Sequence, residues 1–304
     1  MKRAPQKHDG GTPTEIRIPV SQIAVRSPRL DALLDPSVSA SRTRIRPIAG
    51  LDHAAIERTM SMATMVRETN GGPLRTFSGG LAHENGWHPS FKARRLLHWQ
   101  GEAQLQFITK ADLDHDVVRL GTECFGLEFA IDGTLVGYTI DVELVGADGR
   151  RRAIEIKRDE RDLEDEDYRL KLAYVREILR RCDIDFRVVL RDEIFRSRRH
   201  LRNVEDFASR RFRSIDPDVM ARFDRHAALH PTSTFGGLAS LLHRDSPVQG
   251  RATVQALVAR RRVRIDLTGR IDDDTPVELF RADGVERRRR APGGSHRRSP
   301  PAFG

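Results

Sequence analysis

The sequence predicts an α/β protein, a mixed-sheet domain followed by a small domain of three helices and a hairpin. Three observations predict it. Between Cys124 and Arg158, "CFGLEFAID", "VGYTIDVELV" and "RAIEIKR" are apolar or alternating runs cut by the tight turns "DGTL" and "GADGRR", the pattern of strands in a meander. The flanking stretches Gln100–Leu120 and Asp162–Ile184 carry apolar residues at helical spacing, and the second is followed by the strand-like "DFRVVLRDEIF". Beyond Arg213 come three short helical patterns, then "RVRIDL", a polar turn and "TPVELF", the outline of a winged helix.

In chain order, residues 1–75 are rich in Pro, Ser, Thr, Arg and Gly and are read as a mostly disordered arm, with one short amphipathic helix in "LDHAAIERTMSMATMVRE". Residues 76–213 hold the main domain. Its first helix begins near Gln100, with Ala103, Phe107, Ile108 and Ala111 along one side. The three-stranded meander follows. The second helix places Leu172, Val175, Ile178 and Leu179 on one stripe and acidic residues at its start, where the helix dipole favours them. Its crossover can lay the fourth strand parallel in the same sheet. Residues 214–281 form the small domain, and 282–304 a disordered tail bearing the basic run Arg287–Arg290.

The 304-residue chain has 53 Lys plus Arg against 44 Asp plus Glu, a net charge of +9 that favours a polyanionic partner, nucleic acid first. Its two cysteines, Cys124 and Cys182, have no metal-ligand spacing and give no disulfide framework, which fits a reducing, cytoplasmic location. No apolar run reaches the roughly 20 residues that cross a bilayer. There is no Gly-rich phosphate loop and no Gly-x-Ser-x-Gly nucleophile, so ATP use and acyl transfer have no support.

Chemistry concentrates in "GYTIDVELVGADGRRRAIEIKRD". Asp141 lies on the second meander strand, and the turn brings Glu155 and Lys157 back on its hairpin partner. Residues two apart on a strand share a face, so Glu155 and Lys157 point the same way. A register that sets Asp141 opposite them brings two carboxylates and an ammonium together. Such oxygens suit Mg²⁺, which keeps several waters and accepts a phosphate oxygen. The alternative, a cross-strand salt pair on a half-exposed sheet, uses the same residues.

Five segments, in order, resemble the TnsA-like family, the endonuclease subunit of heteromeric transposases, built on a PD-(D/E)xK nuclease core followed by a winged helix. "LLHWQG" is similar to the family's "LHWES", "LDHDV" to "FDPDV", "YTIDV" to "YTPDF", "DGRRRAIEIK" to its "DGR" and Glu-x-Lys strand, and "DIDFRV" to "GIEFRV". The similarity runs from Ser90 to Arg211, and to Phe280 in outline. It implies a restriction-endonuclease-like core, DNA cleavage at transposon ends, Mg²⁺ held by Asp141 and Glu155, and Lys157 completing the catalytic set. It also implies a DDE-type transposase and an AAA+ ATPase regulator as partners on double-stranded DNA.

Three departures stand out. The family's helix glutamate falls on Gln104, its Pro before Asp on Ile140, and its Gln-Pro on Glu123-Cys124. Three readings follow: Glu102 replaces the carboxylate, Glu123 supplies it from beside the first strand, or the site is degenerate and the protein binds DNA without cutting. A restriction or repair nuclease on the same core is a further reading. Nucleic-acid contacts are expected from Lys92, Arg94 and Arg95 before the first helix, and from Arg251, Gln255 and Arg260 on the third helix of the small domain, where Arg261 and Arg262 add charge. His88, His98 and His115 show no ligand spacing and are read as loop or surface residues.

Overall fold

A computed structural model describes residues 15–23, 53–69, 71–74 and 84–281. Strand β1 (Glu15–Pro19) enters a single helical turn, α1 (Val20–Ile23), and helix α2 (His53–Met62) enters β2 (Thr64–Glu68). A hairpin of β3 (Asn85–Ser90) and β4 (Arg95–Gln100) leads into α3 (Gly101–Leu113). Then come β5 (Val117–Thr122), β6 (Phe125–Ile131), β7 (Thr134–Thr139), β8 (Val142–Gly146) and β9 (Arg151–Lys157). Helix α4 (Glu166–Arg181), β10 (Ile184–Leu190), α5 (Arg191–Ile194) and α6 (Arg198–Ser209) follow. The C-terminal unit comprises α7 (Pro217–Leu229), β11 (Thr232–Thr234), α8 (Phe235–Leu242), α9 (Pro247–Ala259), β12 (Val263–Ile265) and β13 (Pro276–Leu279).

The expected three-stranded meander is instead a bent ribbon shared by two four-stranded sheets. One sheet has the order β1-β2-β6-β7, all antiparallel, and the other β10-β9-β8-β5. The run "VGYTIDVELV" breaks at Ile140–Asp141, where β7 leaves the first sheet and β8 joins the second; β5 and β6 break alongside at Glu123–Cys124. Backbone bonds from Glu123 N to the Asp141 carbonyl (3.1 Å) and from Ile140 N to the Phe125 carbonyl (3.3 Å) carry the ladder across the bend. An apolar run fixes which residues are buried but not the sheet they join, so the break was not visible in the pattern.

The second sheet is mixed: β8 and β5 pair antiparallel with their neighbours, whereas β10 runs parallel to β9, as the crossover through α4 requires. Helix α4 starts where the Asp165 carboxylate accepts from Tyr168 N at 3.0 Å, carries Glu166 and Asp167 in its first turn and Arg180 and Arg181 in its last, and so complements the dipole at both ends. It buries Leu172, Val175, Ile178 and Leu179 against one face of the sheet, in a core that also holds Phe125, Phe129, Tyr138 and Phe186. Helix α3 covers the opposite face with Ile108 and Ala111 on Val142, Leu144, Ile154 and Ile156.

The arm expected to be loose supplies part of this core. Residues Glu15–Pro19 and Thr64–Glu68 are paired strands, and Val20, Met60, Ala63 and Met65 are buried in it. Strand pairing between segments this far apart in sequence leaves no local signature. Residues 1–14, 24–52, 70, 75–83 and 282–304, which include the basic run Arg287–Arg290, lie outside the described residues.

The C-terminal unit has its own core of Phe223, Phe235, Leu238, Leu242, Val254, Leu257 and Val263, to which α6 adds Val204 and Phe207. Its three helices sit with a three-stranded antiparallel sheet of order β11-β13-β12, one strand more than the expected hairpin. Gly250 permits the close crossing of α9 on α8: a Cβ there would lie 2.3 Å from the Ala239 carbonyl oxygen. Every residue of α9 from Ala252 to Ala259 is buried. A helix apolar on all sides, here "ATVQALVA", has no polar face to leave in solvent.

Candidate active site

The β8–β9 hairpin turns through Gly149, whose φ of +80° is open to glycine, and pairs Val142 with Ile154. One step further along this register sets Asp141 opposite Glu155, with Lys157 two residues on from Glu155 on the same face. This row lies where the strands pass from one sheet to the other. Asp141 Oδ2 accepts from the Ile156 amide at 2.6 Å, which leaves Oδ1 without a hydrogen-bond partner among the described residues.

Glu155 is 4 % exposed and heavily held. Oε2 accepts from the Tyr138 hydroxyl at 2.5 Å, and Oε1 accepts from the Tyr168 hydroxyl and lies 2.6 Å from Lys157 Nζ. Lys157 Nζ also sits 4.6 Å over the Tyr168 ring, a cation–π contact. Burial and then the Glu155 carboxylate raise both phenols above the ordinary tyrosine value, so they stay protonated donors at neutral pH. Burial first, and then Glu155, push Asp141 well above the usual carboxylate range, against the Ile156 amide and Lys157; Glu123 adds to the rise. Two acids are thus crowded in a dry place, an arrangement that costs free energy until a cation or a proton arrives.

Gln104 reaches this row from α3. Its Nε2 donates to the Asp141 carbonyl at 3.3 Å and its Oε1 accepts from Gln100 N at 2.6 Å. Glu123, 7 % exposed and at a φ of +49°, sits on the other side, its amide on the same Asp141 carbonyl and its Oε2 3.7 Å from His98 Nδ1. Glu102 faces away: it pairs with Arg191 at the surface and accepts from Gln106. Of the two relocated carboxylates weighed above, only Glu123 is beside Asp141.

The expected nucleic-acid residues divide differently. Arg94, at the tip of the β3–β4 hairpin with a φ of +54°, and Arg95 are exposed. Lys92 is buried, its ammonium donating to the carbonyls of Ala111 and Asp114 at the end of α3, and burial lowers its pKa to about 7. Gln255 is buried and donates to Asp206 Oδ2 at 2.5 Å. Arg260 donates to the Arg213 carbonyl and packs near the Phe91 ring, and Arg251 pairs with Asp273 at 2.7 Å. Arg261 and Arg262 are likewise buried, on the carbonyls of His115 and Phe280. Charge on a helix end does not reveal whether the guanidinium meets solvent or a carbonyl: Gln255, Arg261 and Arg262 of the face expected for α9 lie in a structural seam, while Arg251 is exposed.

His88, His98 and His115 are also buried, not surface residues; His88 Nε2 faces Asp112 Oδ2 at 3.6 Å. Tyr138 and Tyr168 were not singled out in the sequence. Tyr138 stood within "YTID" and shares the strand path of Asp141, but Tyr168 reaches Glu155 only through the α4 crossover.

Among the described residues no group of three or more His, Cys, Asp or Glu is arranged to hold a metal ion. Mg²⁺ does not require one: one or two carboxylates, waters and a substrate phosphate complete its shell. Asp141 Oδ1 and Glu155 provide that donor set, crowded and poorly solvated, and they fit such an ion. Among the described residues no helix is long and apolar enough to cross a membrane. The sequence matches no protein-family model, and no curated protein matches it.

Proposed function

We propose that this chain is a Mg²⁺-dependent DNA endonuclease of the TnsA-like kind, a PD-(D/E)xK core with a C-terminal winged helix, acting as the cutting subunit of a heteromeric transposase. The observation that carries the reading is the row Asp141, Glu155 and Lys157 at the bend between the sheets, touched by Gln104 from the first core helix. Asp141 and Glu155 would hold Mg²⁺, which when bound polarises the scissile phosphodiester and lowers the pKa of a bound water. The chain's own residues set the rest. Tyr138 and Tyr168 fix the Glu155 carboxylate, the Ile156 amide fixes Asp141, and Lys157 offers positive charge to the oxyanion that develops at phosphorus.

The order of three helices, three short strands and a ten-residue turn between β12 and β13 supports the winged-helix reading. The buried C-terminal part of α9, from Ala252 to Ala259, packs this unit on the core, so any groove contact falls to its exposed first turn and Arg251. The partners proposed are double-stranded DNA, a DDE-type transposase and an AAA+ ATPase.

Two observations favour a second reading, a DNA-binding assembly module whose site has lapsed: Gln104 is neutral where the family has an acid, and Glu155 already takes three donors, which leaves room on Oε2 alone. A plasmid carrying the transposon ends, incubated with this chain and the transposase encoded beside it, separates the two. Mg²⁺-dependent breaks at the 5′ ends of the element support the cutting subunit. Breaks made equally well by a complex containing Asp141→Ala would assign cutting to the partner and leave this chain a binding role.

A further inference from the structure

The face that carries Asp141 continues past it. Residues two apart on β8 point the same way, so Asp141, Glu143 and Val145 share this face. The registers place Gly121 and Ala153 on either side of Glu143, and Arg119 and Arg151 on either side of Val145. The acidic row of Asp141 and Glu155 is therefore followed, about 13 Å along the strands, by a basic row.

There the face opens into a cavity of about 470 Å³ whose lining includes Arg67, Arg95, Arg119 and Arg151 with Glu143 as its one carboxylate among the described residues. Glu143 Oε1 accepts from Arg151 Nε at 2.9 Å, and its two oxygens lie 3.4 Å from the Arg67 guanidinium. Arg119 is exposed, and its guanidinium has no hydrogen-bond or ion-pair partner among the described residues. No aromatic side chain lines the cavity, so it offers a base no stacking platform. Convergent guanidiniums without a platform suit a backbone phosphate.

We propose that this cavity seats a backbone phosphate on the same DNA strand as the bond cut at Asp141, about 13 Å from it. Arg119 is its principal contact, and Glu143 is a built-in competitor that occupies Arg67 and Arg151 until phosphate displaces it. The proposal rests on the reading of the chain as a DNA-acting protein and adds a subsite and a residue that tunes its affinity. A duplex held there is clamped at two points on one strand, which orients the scissile bond before any metal is engaged.

The test is binding of a fluorescein-labelled 30-base-pair duplex to the full chain carrying Asp141→Asn, by anisotropy in EDTA across a salt series, so that the readout needs neither metal nor cleavage. Arg119→Gln is expected to weaken binding roughly fivefold and to reduce the salt slope by about one. Glu143→Gln removes the competitor and tightens binding, the opposite sign, which a folding defect would not produce. Arg225→Gln, on the exposed side of α7, is the control and leaves binding unchanged.

An Arg119→Gln effect no larger than that of Arg225→Gln overturns the proposal. So does displacement of the duplex by millimolar inorganic phosphate, which would mark a free-anion site, or by polyglutamate at lower charge concentration than competing DNA, which would mark a protein partner. Retained binding with absent cleavage in the natural chain would leave the subsite standing while the nuclease reading falls.

Discussion

The Gln104 amide bridges Gln100 N to the Asp141 carbonyl, beside the row of Asp141 and Glu155. Glutamate at 104 keeps the acceptor for Gln100 but turns its other oxygen toward a carbonyl, with a third acid beside Asp141. Gln104→Glu is therefore expected to lower stability in EDTA by about 1–3 kcal/mol and to recover more of it on adding Mg²⁺ than the natural chain gains. Thermal melts of both proteins with and without the metal check this, and equal Mg²⁺ shifts would contradict it. The Asp-Glu-Lys row was legible in the sequence because strand period and a Gly-bearing turn fix which side chains share a face. Tyr168 was not, because its contact with Glu155 depends on how a sixteen-residue helix folds back over the sheet.

At the scale of elements, α9 shows how local pattern misleads. Its Gln and flanking Arg residues read as a surface that meets DNA, yet from Ala252 to Ala259 the helix is buried against α8, α6 and α3, and only its first turn and Arg251 are exposed. Gln255 donates to Asp206 on α6, a tie between elements. Gln255→Ala is expected to cost about 1–2 kcal/mol of stability, a half-buried hydrogen bond to an exposed carboxylate lost, while duplex affinity of the folded protein stays unchanged. Denaturant unfolding beside anisotropy checks both halves, and an unchanged stability with weakened DNA binding would restore the recognition-helix role. The helices and the parallel β10 were readable from spacing; the bend that divides β7 from β8 was not, since both halves are equally apolar and only the pairing partners differ.

Across the whole molecule, cations tie the core to the C-terminal unit. Arg261, 1 % exposed, donates to the His115 carbonyl, and the half-exposed Arg264 pairs with Asp116. His115 lies in this seam, its ring 4.0 Å from that of Phe280. Burial, then Arg264 and Arg261, lower its pKa from 6.5 to about 4, with Lys92 acting in the same direction and Asp116 opposing. Between those values the unfolded chain binds a proton that the folded chain does not, so stability falls as pH drops from about 6.5 to about 4, and the loss is complete below the folded value. His115→Phe is expected to flatten that part of the profile in denaturant titrations; an unchanged slope would place the acid sensitivity elsewhere. The N-terminal strands β1 and β2 make the same point at this scale, for they join the core only through partners that lie far along the chain.

The proposed function makes Asp141, Glu155 and Lys157 a metal-dependent centre for phosphodiester cleavage. Nicking of supercoiled plasmid tests it most directly, with the purified chain in Mg²⁺, Mn²⁺ or EDTA, against Asp141→Ala and Lys157→Ala of matched folding. The account predicts metal-dependent nicking that falls by at least about a hundredfold in both variants. Nicking that survives in both, or persists in EDTA, would contradict it.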